Sequence, residues 1–134
     1  MGHEGIGARV ARKEDRRFIT GAGNYTDDIP VKNAAHAVFV RSPHAHARVL
    51  RIDTARAMQA PGVTGVLTGD ELAQDKVGGL ICGWMVKSTD GSPMKAGPYA
   101  PLAKDIVRFV GNAVAVVVAE SKNQARDAAE LVEV

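Results

Sequence analysis

Ala113-Val114-Ala115-Val116-Val117-Val118-Ala119-Glu120-Ser121-Lys122-Asn123-Gln124-Ala125-Arg126-Asp127-Ala128-Ala129-Glu130-Leu131-Val132 changes its periodicity once, and that change decides the fold. Seven apolar residues in a row, more than half of them β-branched, read as a strand covered on both faces. Ser121 with Gln124 three residues later has capping-box spacing, so a helix starts there. Ala125, Ala128, Ala129 and Val132 then recur at i, i+3, i+4 and i+7, one apolar stripe of a helix. A buried strand feeding a helix that lies back on it predicts that Val116 and Val118 are almost fully buried, together with Phe39 and Leu50 from neighbouring strands.

Upstream, Ile106 to Val110 reads as a strand joined to Ala113–Ala119 by a two-residue Gly111-Asn112 turn. Ala35 to Arg41 alternates as a strand, with His36, Val38 and Val40 on one face and Ala37, Phe39 and Arg41 on the other; Ser42-Pro43 breaks it. Ala47 to Ile52 resumes as a strand with Leu50 and Ile52 on one face. Asp53 can cap a short helix over Thr54 to Gln59, which Pro61-Gly62 ends. Val63 to Leu67 is a further strand, and Thr68-Gly69-Asp70-Glu71 a second capping box opening a turn that holds Leu72. Residues 76 to 103 carry five glycines, three prolines and the only tryptophan, Trp84. A connection this long is usually functional or ordered by a neighbour. Residues 1–33, with Gly5, Gly7, Gly21 and Gly23 and no sustained period, read as an N-terminal arm. Residues 34–134 read as one domain with two main helices and mixed or antiparallel strands. Hairpins mix with helices instead of alternating strictly, which makes the fold class α+β.

Composition narrows the function. Hydrophobic residues at 46% and charged residues at 24% describe a globular chain, not a disordered one. A net charge of +2 with dispersed basic residues leaves no nucleic-acid footprint, and 4% aromatics leave no stacking platform. Cys82 is the single cysteine, so no intrachain disulfide forms and a cytoplasmic setting fits best. No apolar run reaches the length of a membrane span. Arg16-Arg17-Phe18-Ile19 is followed by a polar stretch with Asp27-Asp28, unlike an export signal. The Asn24-Tyr25-Thr26 sequon is a chance match in a cytoplasmic chain.

The chemistry-bearing residues do not assemble into a set. Gly21-Ala22-Gly23 lacks the third glycine of a dinucleotide fingerprint, since residue 26 is Thr, and no strand precedes it. His44 and His46, two apart, could share a face near a metal, but zinc needs further ligands, and nothing pairs them by spacing with Cys82 or His36. Cys82 has no neighbouring base, and Asp27, Asp28 and Glu120 show no carboxylate pairing. No catalytic, cofactor-binding or metal-binding residue is therefore expected in this chain.

One ordered series of segments is informative as a whole. Arg17-Phe18-Ile19-Thr20-Gly21-Ala22-Gly23-Asn24-Tyr25-Thr26-Asp27-Asp28-Ile29 is followed by Val40-Arg41-Ser42-Pro43-His44-Ala45-His46-Ala47-Arg48-Val49. Ile52-Asp53, Pro61-Gly62-Val63 and Val66-Leu67-Thr68 come next, then Pro101-Leu102-Ala103 and Val107-Arg108-Phe109-Val110-Gly111. Val114 to Glu120 and Ala125 to Val132 complete it. From about residue 8 to residue 134 this resembles the N-terminal part of molybdenum-hydroxylase large subunits, the xanthine dehydrogenase, aldehyde oxidase and aerobic carbon monoxide dehydrogenase family. Asn112 replaces the acidic residue often found after that glycine, and suits a turn equally well.

The resemblance implies an α/β-hammerhead fold and makes Arg41 to His46 framework. It implies a parent oxidoreductase that hydroxylates or oxidises a small molecule, with water as the oxygen source. Molybdopterin-molybdenum contacts, including a glycine-rich phenylalanine loop and a late catalytic glutamate, would lie downstream. Iron-sulfur clusters and FAD would sit on partner subunits or regions. On this reading the chain is a piece truncated at Glu133-Val134, inactive alone. It would pack on the downstream cofactor-binding domain and on the iron-sulfur and flavin subunits, with self-association of the fragment as a further outcome. The docking surface is expected in 76–103, where Leu80, Ile81, Trp84, Met85, Val86 and Met94 cluster. The alternative is a free-standing interaction or small-ligand module of the same fold. Carbon monoxide, aldehydes, purines and N-heterocycles all stay open as substrates.

Overall fold

The computed structural model describes residues 5–8 and 10–134; of the expected arm, residues 1–4 and 9 lie outside the described residues. The chain divides into two compact units, 1–32 and 33–134.

In the first unit, α1 (Asp15–Ile19) carries an acidic residue in its first turn, where the helix dipole favours it, and Arg12 Nε donates to Asp15 at 3.0 Å. Gly21, at φ +72°, ends the helix: its amide donates to the Phe18 carbonyl and the Ala22 amide to the Arg17 carbonyl, a Schellman closure. The Phe18 and Tyr25 rings stack at 5.3 Å. A Cβ at residue 23 would lie 2.4 Å from the Phe18 ring, so glycine there admits that ring.

The second unit is built around β5 (Ala113–Ala119). It lies between β1 (His36–Arg41) and β3 (Val63–Thr68), antiparallel to both, in the order β1-β5-β3. Phe39, Val116 and Leu67 are paired across the three strands, and so are Ala37, Val118 and Gly65. A second, two-stranded antiparallel sheet joins β2 (Ala47–Arg48) to β4 (Ile106–Val107). Sequence-adjacent strands never pair in either sheet.

Four short helices complete the described residues: α1, α2 (Ala55–Met58), α3 (Gly69–Gln74) and α4 (Lys122–Ala129). Their starts follow the sequence. Thr68 accepts from the Asp70 amide at 3.2 Å, while Glu71 accepts from the Thr68 amide at 2.8 Å. Ser121 caps α4 by accepting from the Gln124 amide at 3.3 Å. Asp53 accepts from the Ala55 amide at 3.0 Å and so serves the first turn of α2 from one residue outside it.

Two apolar clusters hold this unit. In one, α2 and α4 cover one face of the sheet, burying Ala57, Val66, Ala115, Val117, Ala128 and Val132. In the other, Ala103, Val107 and Val114 pack with Val49 and Ile52. The fold is α+β, as the mixture of hairpin-length strands and capped helices leads one to expect, but several details differ.

The core expectation is corrected. Along β5 the deeply buried side chains are Val114, Ala115, Val117 and Ala119, whereas Val116 and Val118 are only half-buried. Phe39 is 48% exposed and Leu50 86% exposed. The cause is that helices cover one face only; the face carrying Phe39, Val116 and Leu67 has no complete layer over it. Leu50 fails for a second reason. β2 ends at Arg48, so the alternation that paired Leu50 with Ile52 does not persist. The hairpin is corrected too. β4 stops at Val107 and pairs with β2, and the chain returns through a turn in which the Asn112 amide donates to the Phe109 carbonyl at 3.1 Å. Buried Asn112 accepts from the Arg108 amide at 3.1 Å, so it closes that turn with its side chain.

Candidate functional site: an apolar docking surface

The sequence-selected candidates are scattered. Gly21-Ala22-Gly23 lies at the C-terminal end of α1, where carbonyls and a partial negative charge collect; a phosphate needs the opposite end of a helix. Asp28 accepts from the Tyr25 amide at 2.8 Å and closes a 3-10 turn over Thr26–Asp28. His44 and His46 sit in the exposed turn between β1 and β2, and the His44 amide donates to buried Ser42 Oγ at 3.1 Å. Cys82 is exposed, with its thiol 3.6 Å from the Trp84 carbonyl. Glu120 is exposed at the end of β5, its amide bonded to the Gly62 carbonyl at 2.9 Å. Among the described residues no three His, Cys, Asp or Glu side chains are grouped to hold a metal ion.

The perturbed acids and bases are explained by structure. The Thr68 hydroxyl holds the Glu71 carboxyl below its ordinary value, against a smaller effect of burial. The Ala55 amide, then Arg51, lowers Asp53. Asp90 is lowered by Ser92, and Lys104 is raised by Asp70, 2.9 Å away. Each belongs to a cap, a turn or a surface ion pair.

Two of the open hollows on the surface have about 280 Å³ each. One, with Tyr99, Lys104, Asp105, Arg108 and Asn112 on its walls, lies beside the stacked Tyr99 and Phe109 rings, 6.1 Å apart. The other is lined by His44, Val49, Leu50, Val107 and Val134. Among the described residues, neither hollow is lined by a group of three His, Cys, Asp or Glu side chains.

What the surface offers is apolar area. Leu80, Ile81, Trp84, Met85 and Val86 are all exposed, Trp84 at 81%. Their segment carries a turn with the Gly91 amide on the Ser88 carbonyl and an isolated Lys87–Pro93 bridge, and the Leu80 amide donates to the Tyr99 carbonyl.

A small antiparallel sheet with capped helices on one face, beside an exposed apolar loop, makes up this α+β domain. Residues 20–134 match the family model described as aldehyde oxidase and xanthine dehydrogenase, a/b hammerhead domain, and the chain belongs to that family. It is 44% identical over 127 residues to the nicotine 6-hydroxylase large subunit of Paenarthrobacter nicotinovorans, covering 95% of this chain and 15% of that one. Against the carbon monoxide dehydrogenase large chain of Afipia carboxidovorans it is 42% identical, covering 98% of this chain and 15% of the other. The crystal structure of quinoline 2-oxidoreductase from Pseudomonas putida 86 superposes with a TM-score of 0.75 at 39% identity, over 92% of this chain and 15% of that one. The chain thus spans about 15% of the length of these relatives.

Proposed function

We propose that this chain is the hammerhead segment of the large subunit of a molybdenum hydroxylase, an oxidoreductase that hydroxylates or oxidises a small molecule with oxygen from water. Residues 1–33 serve as the arm and 34–134 as the domain proper. The segment supplies architecture: it docks on the cofactor-binding remainder of the subunit and holds no catalytic, metal or cofactor residue itself. Molybdopterin-molybdenum belongs to that remainder, and iron-sulfur clusters and FAD to partner subunits or regions, in the cytoplasm. The observation that carries the reading is the cluster of exposed apolar side chains Leu80, Ile81, Trp84, Met85 and Val86 on a domain that makes up 15% of its relatives. The free-standing module is disfavoured by the same match to parts of large subunits.

The reading is tested by composition. Full-length protein purified from its native host should carry molybdenum in stoichiometric amount. The 134-residue chain alone should carry no molybdenum, pterin, flavin or iron. Stoichiometric pterin or metal on the short chain would overturn it.

A further inference from the structure

The sheet β1-β5-β3 has two faces with different fates. One is roofed by α2 and α4. The other is roofed only at one end, where Ala103 and Val107 bury Val114 completely. Beyond Val114 the same face is open. Its first open row is Phe39, Val116 and Leu67, with the Arg41 guanidinium 5.6 Å from the Phe39 ring. Its second row is Ala37, Val118 and Gly65.

Gly65 is the informative residue. Glycine weakens a strand interior and marks a bulge or the close approach of another backbone. A register shift does lie between Val63 and Gly65. Yet Gly65 is not in the left-handed region, so that irregularity does not require glycine. A Cβ built on it meets no heavy atom within 4 Å, so among the described residues nothing excludes a side chain there. A bulky row beside a row ending in glycine forms a step along an apolar face. A sheet face is completed by a packed layer, and a strand would instead add at an edge.

The geometry points to this step as the seat of an α-helix from the remainder of the same large-subunit polypeptide, crossing closest at Gly65 with its apolar side against Phe39, Val116 and Leu67. The inference rests on the proposed parent. The occupant is assigned to the same polypeptide because the relatives carry this domain as 15% of one long chain, and because the open rows continue a face that the chain's own 103–107 segment already covers.

The test compares two proteins: the 134-residue chain and the native full-length subunit. The intact mass of the native protein comes first. A product of 134 residues removes the parent reading and this inference together. With a longer product in hand, Gly65→Cys in a Cys82→Ser background is alkylated with iodoacetamide and followed by peptide mass spectrometry. The thiol should react about tenfold or more slowly in the folded full-length subunit than after denaturation. In the 134-residue chain it should react at the denatured rate whether or not that chain folds. Gly65→Ala, Gly65→Val and Gly65→Leu in the full-length subunit should lower its melting temperature in order of side-chain size. An open thiol and a flat melting series in the full-length subunit would overturn the inference and leave the parent standing. Protection already present in the short chain would assign the cover to a second copy or to the chain itself, and overturn it equally.

Discussion

At the scale of the residue, three polar side chains set where helices begin. Ser121, Thr68 and Asp53 each take a backbone amide that would otherwise have no intrahelical partner. Ser121→Ala should cost about 1 kcal/mol, seen as a lower urea midpoint at an unchanged slope. An unchanged midpoint would mean that α4 is fixed by packing alone. Glu71 gives a pH-dependent prediction. Its folded pKa is depressed, first by the Thr68 hydroxyl, so its contribution is present above its unfolded value and lost as pH falls through the folded one. Asp53 acts in the same direction. The melting temperature should therefore fall on acidification below about pH 4.5, close to the ordinary Glu value. Glu71→Gln should flatten part of that fall. A rise in stability in the same window would contradict the assignment.

At the scale of the element, the sequence is legible wherever a local signal suffices. β5 and α4 stand where the apolar run and the Ser121 cap place them, and the His36, Val38, Val40 face of β1 is assigned correctly. Local signals fail where a distant partner decides. Ile106 to Val110 alternates well enough for a strand, but β2 offers a ladder only to Ile106 and Val107. Ala47 to Ile52 is cut short for the same reason. α1 escaped notice because five residues give no period, although Thr20-Gly21 just after it has the sequence of a C-terminal cap. Of the candidate surface, the apolar cluster at 80–86 was legible in the sequence, while the open sheet face was hidden, because an apolar run does not say whether both of its faces find a cover. The two faces predict unequal costs. Val117→Ala removes two methyl groups at full burial and should cost about 2 kcal/mol. Phe39→Ala removes more atoms from a half-exposed position and should cost about 1 kcal/mol in the 134-residue chain. Equal or reversed costs in urea unfolding would show that the outer face is packed.

At the scale of the whole molecule, surface dominates. The apolar cluster at 80–86 includes the chain's only tryptophan, so its emission reports the state of this segment without interference. Five exposed apolar side chains in one stretch exceed the scattered apolar residues normal on a monomer, and water gives them no compensating partner. In the proposed subunit the remainder of the polypeptide covers them. In the 134-residue chain the available apolar surface belongs to other copies, so the chain should self-associate as its concentration rises. Light scattering should show the mass growing with concentration, and Trp84 emission should shift to the blue over the same range as the indole leaves water. The double variant Ile81→Ser, Met85→Ser should move both transitions to higher concentration without moving the urea midpoint, because neither side chain is part of the buried clusters. Ser121→Ala is the opposite control, lowering the urea midpoint while leaving the scattering transition in place. A chain that stays monomeric at every concentration, with Trp84 emission fixed at the solvent-exposed position, would show that this segment is stable in water unaided and would remove 80–86 from the docking surface.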